Sequence, residues 1–333
     1  MAALGAVYLD LARRGTADEP RQPSPLLHSL VIIASCIFVV TALLVDYTYG
    51  RVVFTLAAIE DPRPTAYVRL ETDDDIETPA NNLSKPPLKP ITSSISDTIA
   101  HLQVHGGGRL SRFRGIGIFA LYMVATAVLI LPIGGFFALT LGSTGVFFAI
   151  FLVGVMLINL EVAWIHTMIS RPSQKSLWSR IPAFRKAWVK LAPAAFLQSL
   201  AGQLVLSALF FLYKKLPQTG NSATLLIAIG WSILCILINT FVTMSISVVF
   251  IRIAASMLPE DEEAIVPFDR TFGHLNPEVS VQAKFGVVDA VRSVDWNSMK
   301  RLLKVMGWYF FLMTAVTVVY ILFCFGLYGV IRH

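Results

Sequence analysis

Charge is scarce in this sequence. Of 333 residues only 14% are Asp, Glu, Lys or Arg, while 55% are hydrophobic and the mean hydropathy is +0.67. That balance excludes a soluble globular domain of this length and reads as an integral membrane protein. Cysteine is scarce too: Cys36, Cys235 and Cys324 fall far apart inside apolar runs, which excludes a disulfide framework or a thiolate metal site. Short segments of alternating polarity are missing, and with them the pattern of a transmembrane β-barrel. After Gly106-Gly107-Gly108 no Gly-Lys-Ser/Thr follows, so the run reads as a flexible link rather than a phosphate cradle. No Ser-His-Asp, Cys-His or metal-ligand cluster stands out, so the chain reads as a non-enzyme with no cofactor and no metal. A cleavable N-terminal signal is not expected, because Arg13 and Arg14 follow only a weak apolar run flanked by Asp10 and Glu19.

Long apolar runs are what the chain does have. Six can be drawn, at about 26–59, 116–140, 142–169, 191–213, 222–257 and 305–331, each able to cross a hydrocarbon core that needs about 20 helical residues. The first and fifth exceed that need, so they tilt, kink or extend beyond the bilayer. Six spans put both termini on one side and the connections 60–115, 170–190 and 258–304 on the other. Those connections hold 19 of the 27 Lys and Arg residues, and 170–190 carries six bases with no acid. The positive-inside bias therefore turns them toward the cytosol, or the matrix of an inner mitochondrial membrane. The basic pI near 9.3 follows from this topology, and the cations lack the interleaved stacking aromatics of a nucleic-acid platform. Residues 61–96, rich in proline and carrying Asp73-Asp74-Asp75, read as an extended, mobile loop. Glu260-Asp261-Glu262-Glu263 reads as a solvated acidic cap.

Three of the spans end in one chemical pattern. Leu44-Val-Asp46-Tyr-Thr-Tyr49-Gly-Arg51, Asn159-Leu-Glu161-Val-Ala-Trp164-Ile-His166 and Ser245-Ile-Ser247-Val-Val-Phe250-Ile-Arg252 each place an oxygen-bearing residue, an aromatic three later and a cationic or potentially cationic residue five later. Ionisable groups in apolar helices are costly, so Asp46, Arg51, Glu161, His166 and Arg252 are expected to face a bundle interior or a wet cavity. Amphipathic stretches at Ile95 to Leu102 and Val287 to Val294 read as short surface helices, with a shorter counterpart at Ile181 to Trp188 that starts at Pro182. The chain thus parses as all-α: six transmembrane helices in three helix, surface helix, helix repeats.

In this order of elements the chain resembles the mitochondrial carrier family. Asp46 and Glu161 occupy the acidic position of that family's odd-helix motif, Leu44, Asn159 and Ser245 its proline, Tyr49, Trp164 and Phe250 its base, and Arg51 and Arg252 its later arginine. Gly108-Arg-Leu-Ser-Arg-Phe113-Arg114-Gly115 matches the family's second motif intact. The resemblance implies an N-terminal tail 1–25 and carrier-like repeats over 26–140, 141–221 and 222–333. It implies a mitochondrial membrane, inner or outer, and a small solute moving through a central polar cavity lined by Asp46, Arg51, Glu161, His166, Arg252, Gln198 and Gln203. Tyr122, Thr126, Thr314 and Tyr320 are further polar positions on even-numbered spans. Against this stands the glue role of such groups between membrane helices. With aromatics in place of the motif bases, the complete ring of inter-helix ion pairs that gates a carrier cannot form. The second reading is a carrier homologue that does not transport and acts as a membrane scaffold, insertase or contact-site factor. The expected partners are the lipid bilayer and a possible small solute, with no nucleic acid; protein partners are not specified by the sequence.

Overall fold

The computed structural model describes residues 25–60, 90–173, 175–176, 180–214, 222–270 and 286–332. All regular elements among them are helical. The first run forms α1 (Pro25–Val45), a π-helical segment (Asp46–Val53) and α2 (Phe54–Ile59) in direct succession. Next come α3 (Ile95–His105), α4 (Ile116–Leu141), α5 (Ser143–Met156) and α6 (Ile158–Ile169). The chain continues as α7 (Phe184–Lys214), α8 (Ser222–Ser256), α9 (Val287–Arg292) and α10 (Trp296–Arg332). Five helical runs are long and apolar enough to cross a membrane, and six if α5 and α6, bent by 56° at Leu157, count as one span. This is compatible with a multi-pass membrane protein. The loop expected at 61–96 lies outside the described residues except for its last seven, 90–96.

Local chemistry accounts for the short elements. Helix α3 buries Thr98 and Leu102, one turn apart, and leaves Ser96, Asp97 and Gln103 exposed. It stops at Gly107 and Gly108, whose φ of 97° and 102° carries a steric penalty for any residue with a Cβ. Helix α10 starts at Trp296, more than two turns before its apolar run, because the Asp295 carboxylate accepts the Ser298 N–H at 2.8 Å and so caps the first turn. The surface helix expected at 181–188 is not separate. From Phe184 the chain runs without a break into the spanning helix α7, through Pro193.

The chain divides into two compact units, Met1–Asp46 with Phe310–His333, and Tyr47–Tyr309. In the first, α1 meets the last part of α10: Tyr320 stacks on Phe38 with ring centroids 4.4 Å apart, and its hydroxyl hydrogen-bonds Ser35 at 2.9 Å. An apolar groove of about 480 Å³ runs along this pair, lined by Ile33, Ile37, Phe38, Val319 and Phe323. Ile37 is 62% exposed there.

In the second unit, burial changes along each spanning helix. Helices α4, α5, α7 and α8 present exposed Val128, Leu131, Phe148, Leu204 and Ile236 over one stretch, a surface that suits lipid. Toward the connections the same unit is packed. Helix α2, α6 and the last turns of α8 lie against one another, and Val52, Leu56, Ile59, Ile158, Val162, Ile169, Ile253 and Ala254 have no accessible surface. Of the repeated motif, Trp164, His166, Phe250 and Arg252 are buried at this end, whereas Leu44–Asp46 belongs to the first unit. The connections meet as well: Ser170 and Ala264 form an isolated antiparallel bridge, Arg171 pairs with Glu263 at 2.6 Å, and the His101 Nε2–H donates to the Ile265 carbonyl at 2.8 Å.

Because this end is the packed core, Leu56→Ala removes buried contacts and should destabilise by about 2–5 kcal/mol. Ile37→Ala on the exposed groove should cost far less. Unfolding of the purified protein in detergent measures both, and equal losses would contradict this placement of the core.

Candidate functional site: the charged ends of the odd-numbered spans

The sequence-predicted residues separate into two groups. Nearer the lipid-type surface, Arg51 leaves the π-helical segment exposed, with its guanidinium carbon 6.0 Å from the Phe119 ring centre and 5.8 Å from that of Trp164. Glu161, half-buried on the first turn of α6, lies within electrostatic reach of both Arg51 and Tyr122. Tyr47, Phe119, Tyr122 and Trp164 form the aromatic wall around them, and the Trp164 Nε1–H donates to the Tyr47 hydroxyl at 3.2 Å. The wall closes on Gly115, where φ is 74° and an added Cβ would come within 3.1 Å of Trp164. Gln198 donates to the Ser247 hydroxyl at 2.9 Å, joining α7 to α8. Gln203 is half-buried one turn further along α7. Asp46, also half-buried, opens the π-helical segment and belongs to the first unit. Of the further polar positions, Thr126 bonds back to its own helix at Tyr122 and Thr314 is exposed.

The second group sits deeper in the packed end and is committed to backbone. Arg252, 1% exposed, donates from Nε to the Ala58 carbonyl at 2.9 Å and from Nη1 to Ser293 Oγ at 2.6 Å. It thereby ties α8 to the end of α2 and to the turn after α9. His166, 3% exposed, donates from Nε2 to the Ala254 carbonyl at 2.8 Å, which fixes its tautomer and ties α6 to α8.

Beside them lies a pair that sequence reasoning did not single out. Glu60 is 1% exposed and Arg301 8%. The Arg301 Nη1 donates to Glu60 Oε2 at 3.0 Å, and its Nη2 donates to the Glu60 carbonyl at 2.9 Å and to Ser298 Oγ at 3.1 Å. The remaining capacity of the carboxylate takes the backbone N–H groups of Ile91 at 2.5 Å and Thr92 at 2.9 Å, together with the Thr92 hydroxyl. One buried acid thus gathers the end of α2, the turn before α3 and the start of α10. Its partner is 241 residues away in sequence. The available signal was an acid directly following an apolar span.

The connections add charge at the surface. Lys175 pairs with Asp261 and, at 3.5 Å, with Glu262. The Asp261 bond holds the exposed Lys175 above its ordinary range and Asp261 below its own. Such solvated pairs contribute little to stability. A pocket of about 330 Å³ opens beside them, lined by Arg171, Glu260, Glu262, Glu263 and Arg270. Among the described residues, no group of three or more His, Cys, Asp or Glu could hold a metal. No protein-family model, curated protein or solved structure matches the chain.

Breaking the buried pair from one side leaves an uncompensated charge. Arg301→Gln or Glu60→Gln should each destabilise by about 3–5 kcal/mol. The double variant should lose less than the two losses added, because the partners share one interaction. Strict additivity in detergent unfolding would show that the two act separately.

Asp295 gives the pH dependence its sign. Burial works against its ionisation, but the Ser298 hydrogen bonds outweigh it, with Arg301 and Arg252 nearby, and hold the carboxyl below its ordinary range. A depressed folded-state pKa contributes stability above the unfolded value, about 3.9, and loses it as pH falls through the folded value. Unfolding midpoints should therefore drop below about pH 4. Asp295→Asn keeps a capping oxygen and should make that drop shallower; an unchanged acid limb would remove Asp295 as its source.

Proposed function

We propose that this chain is a non-catalytic multi-pass membrane protein that works as a fixed scaffold, holding its basic connections as one platform at the membrane surface. The observation that carries this reading is the closure at that platform. Glu60–Arg301, Arg252–Ala58 and His166–Ala254 are buried and fastened to backbone, over a packed core with no accessible surface at Leu56 or Ile253. Alternating access would require this end to open. Opening separates a buried ion pair, at about 3–5 kcal/mol, and uncovers the packed ends of three helices as well. Two of the residues expected to line a cavity, His166 and Arg252, are used up in that closure. Protein partners at the platform follow from this reading.

A second reading, a small-solute carrier of mitochondrial type, is favoured by one observation: Arg51 stands exposed within electrostatic reach of Glu161 and Tyr122. Intramembrane ionisable pairs commonly mark solute or proton pathways. The Gln198–Ser247 bond adds a polar contact between neighbouring helices.

Uptake by the purified protein in liposomes separates the two. The scaffold reading expects no flux above empty liposomes for inorganic ions, carboxylates, amino acids or nucleotides, while Glu60→Gln lowers stability alone. Saturable uptake that is lost in Arg51→Gln or Glu161→Gln would overturn it in favour of the carrier. Subcellular fractionation tests the mitochondrial address on either reading.

A further inference from the structure

The connection after α8 folds back on itself and encloses a cavity. The Glu262 N–H donates to the Pro259 carbonyl at 3.1 Å, which closes a turn, and the Arg270 Nη2 returns to the same carbonyl at 2.9 Å. Pairing with the end of α6 pins the middle of the segment: the Arg171 N–H donates to the Glu263 carbonyl and the Ile265 N–H to the Ile169 carbonyl, both at 2.7 Å. The pocket of about 330 Å³ lies against these fastened residues, so its walls are already in place. It is large enough for a small organic group.

Its charges do not balance. Glu260, Glu262 and Glu263 line it against Arg171 and Arg270. Arg171 is taken by Glu263 at 2.6 Å, and the neighbouring Lys175 by Asp261. Glu262 is the acid left short. It is 7% exposed, Lys175 reaches only its Oε1, at 3.5 Å, and its Oε2 is buried with no hydrogen-bond partner among the described residues. Buried charges are normally paired and hydrogen-bonded, so this carboxylate calls for a further donor. Leu258, Val266 and Phe268 give the same cavity apolar walls.

We propose that this pocket binds a primary ammonium group on a short alkyl stem, with Glu262 as its counter-charge and the exposed Glu260 at its rim. The apolar walls suit the stem. A guanidinium binds a carboxylate best through both oxygens, and Oε1 already faces Lys175, whereas a compact ammonium needs only one. A metal ion does not fit, because no group of three or more His, Cys, Asp or Glu among the described residues could hold one. The ammonium belongs either to a free amine or to a lysine side chain of a partner. The inference is independent of whether the protein transports, because it concerns the surface of the closed end alone.

Thermal unfolding of the full chain in phosphatidylcholine nanodiscs tests this, with butylammonium chloride titrated against tetramethylammonium chloride at constant ionic strength. The two cations carry the same charge, but only the first donates hydrogen bonds. The expected result is a saturable rise in Tm with butylammonium and none with tetramethylammonium. Glu262→Gln, close to it in shape, should shift the butylammonium midpoint by at least about tenfold, the loss of a charge-assisted acceptor. Glu260→Gln, on the exposed rim, should weaken binding a few-fold and keeps the proposal testable if Glu262→Gln does not fold. No ammonium-specific rise, or the same rise in Glu262→Gln, would overturn the site. So would a rise that appears only in Arg270→Gln, since Arg270 would then be the partner of Glu262. A larger rise with magnesium chloride than with butylammonium would overturn the ammonium in favour of a metal. Nα-acetyl-lysine amide separates the two sources: a lower midpoint than butylammonium assigns the site to a partner's lysine and a higher one to a free amine, and either upholds it.

Discussion

A buried carboxylate organises the packed end of this protein. Glu60 follows the last turn of α2 and would be costly at 1% exposure if its oxygens were not all engaged. Arg301 satisfies it from the start of α10, and the N–H groups of Ile91 and Thr92 satisfy it from the turn before α3. The charge therefore dictates where three separate pieces of chain must lie. Once they are placed, the neighbouring ties follow: Arg252 reaches the Ala58 carbonyl two residues before Glu60, and Ser293 anchors the other side of the same guanidinium. A buried ion pair adds little net stability over apolar packing, but losing one partner is severe, so its effect is to specify this arrangement against alternatives.

Much of that end was legible in the sequence. Of the ionisable groups within apolar helices, His166 and Arg252 are buried against backbone carbonyls, while Asp46 and Glu161 are half-buried and Arg51 is exposed. The surplus length of the first and fifth runs was legible too, and much of it lies in the packed end, where α2 and the last turns of α8 meet α6. The amphipathic stretches at Ile95 and Val287 became α3 and α9. What the sequence did not reveal has physical reasons. The Glu60–Arg301 pair joins residues too distant for any local pattern, and a base in a long connection looks like any other topological charge. The 56° bend at Leu157 carries no proline or glycine at the break, so periodicity ran straight through it. The π-helical segment at Asp46–Val53 has an ordinary apolar and polar mixture, and a shift from i+4 to i+5 bonding leaves no mark on composition. The stretch at 181–188 and the run from 191 read as two helices, whereas α7 runs unbroken from Phe184 through Pro193.

The two groups of candidate residues pull the functional reading in different directions. Arg51 and Glu161, beside an aromatic wall, are placed as a working pair would be, whereas His166 and Arg252 are placed as fasteners. The proposed scaffold reading gives the fasteners more weight, because a transport cycle needs both ends of a bundle to open and Arg252, His166 and Arg301 each hold a backbone carbonyl at this end. Carbonyl acceptors such as Ala58, Ala254 and Glu60 cannot be swapped for new partners without moving the helix that carries them. The closure is thus a property of helix position more than of side-chain choice, and it would be broken by moving helices apart.

The central claim is that the platform end stays closed. The most direct measurement is a spin-label distance between Ser96→Cys on α3 and Arg185→Cys on α7, both exposed, with Cys36, Cys235 and Cys324 replaced by Ala. In liposomes, a fixed end gives a single narrow distribution that is unchanged by candidate solutes. Two populations whose ratio shifts on adding a solute would contradict it.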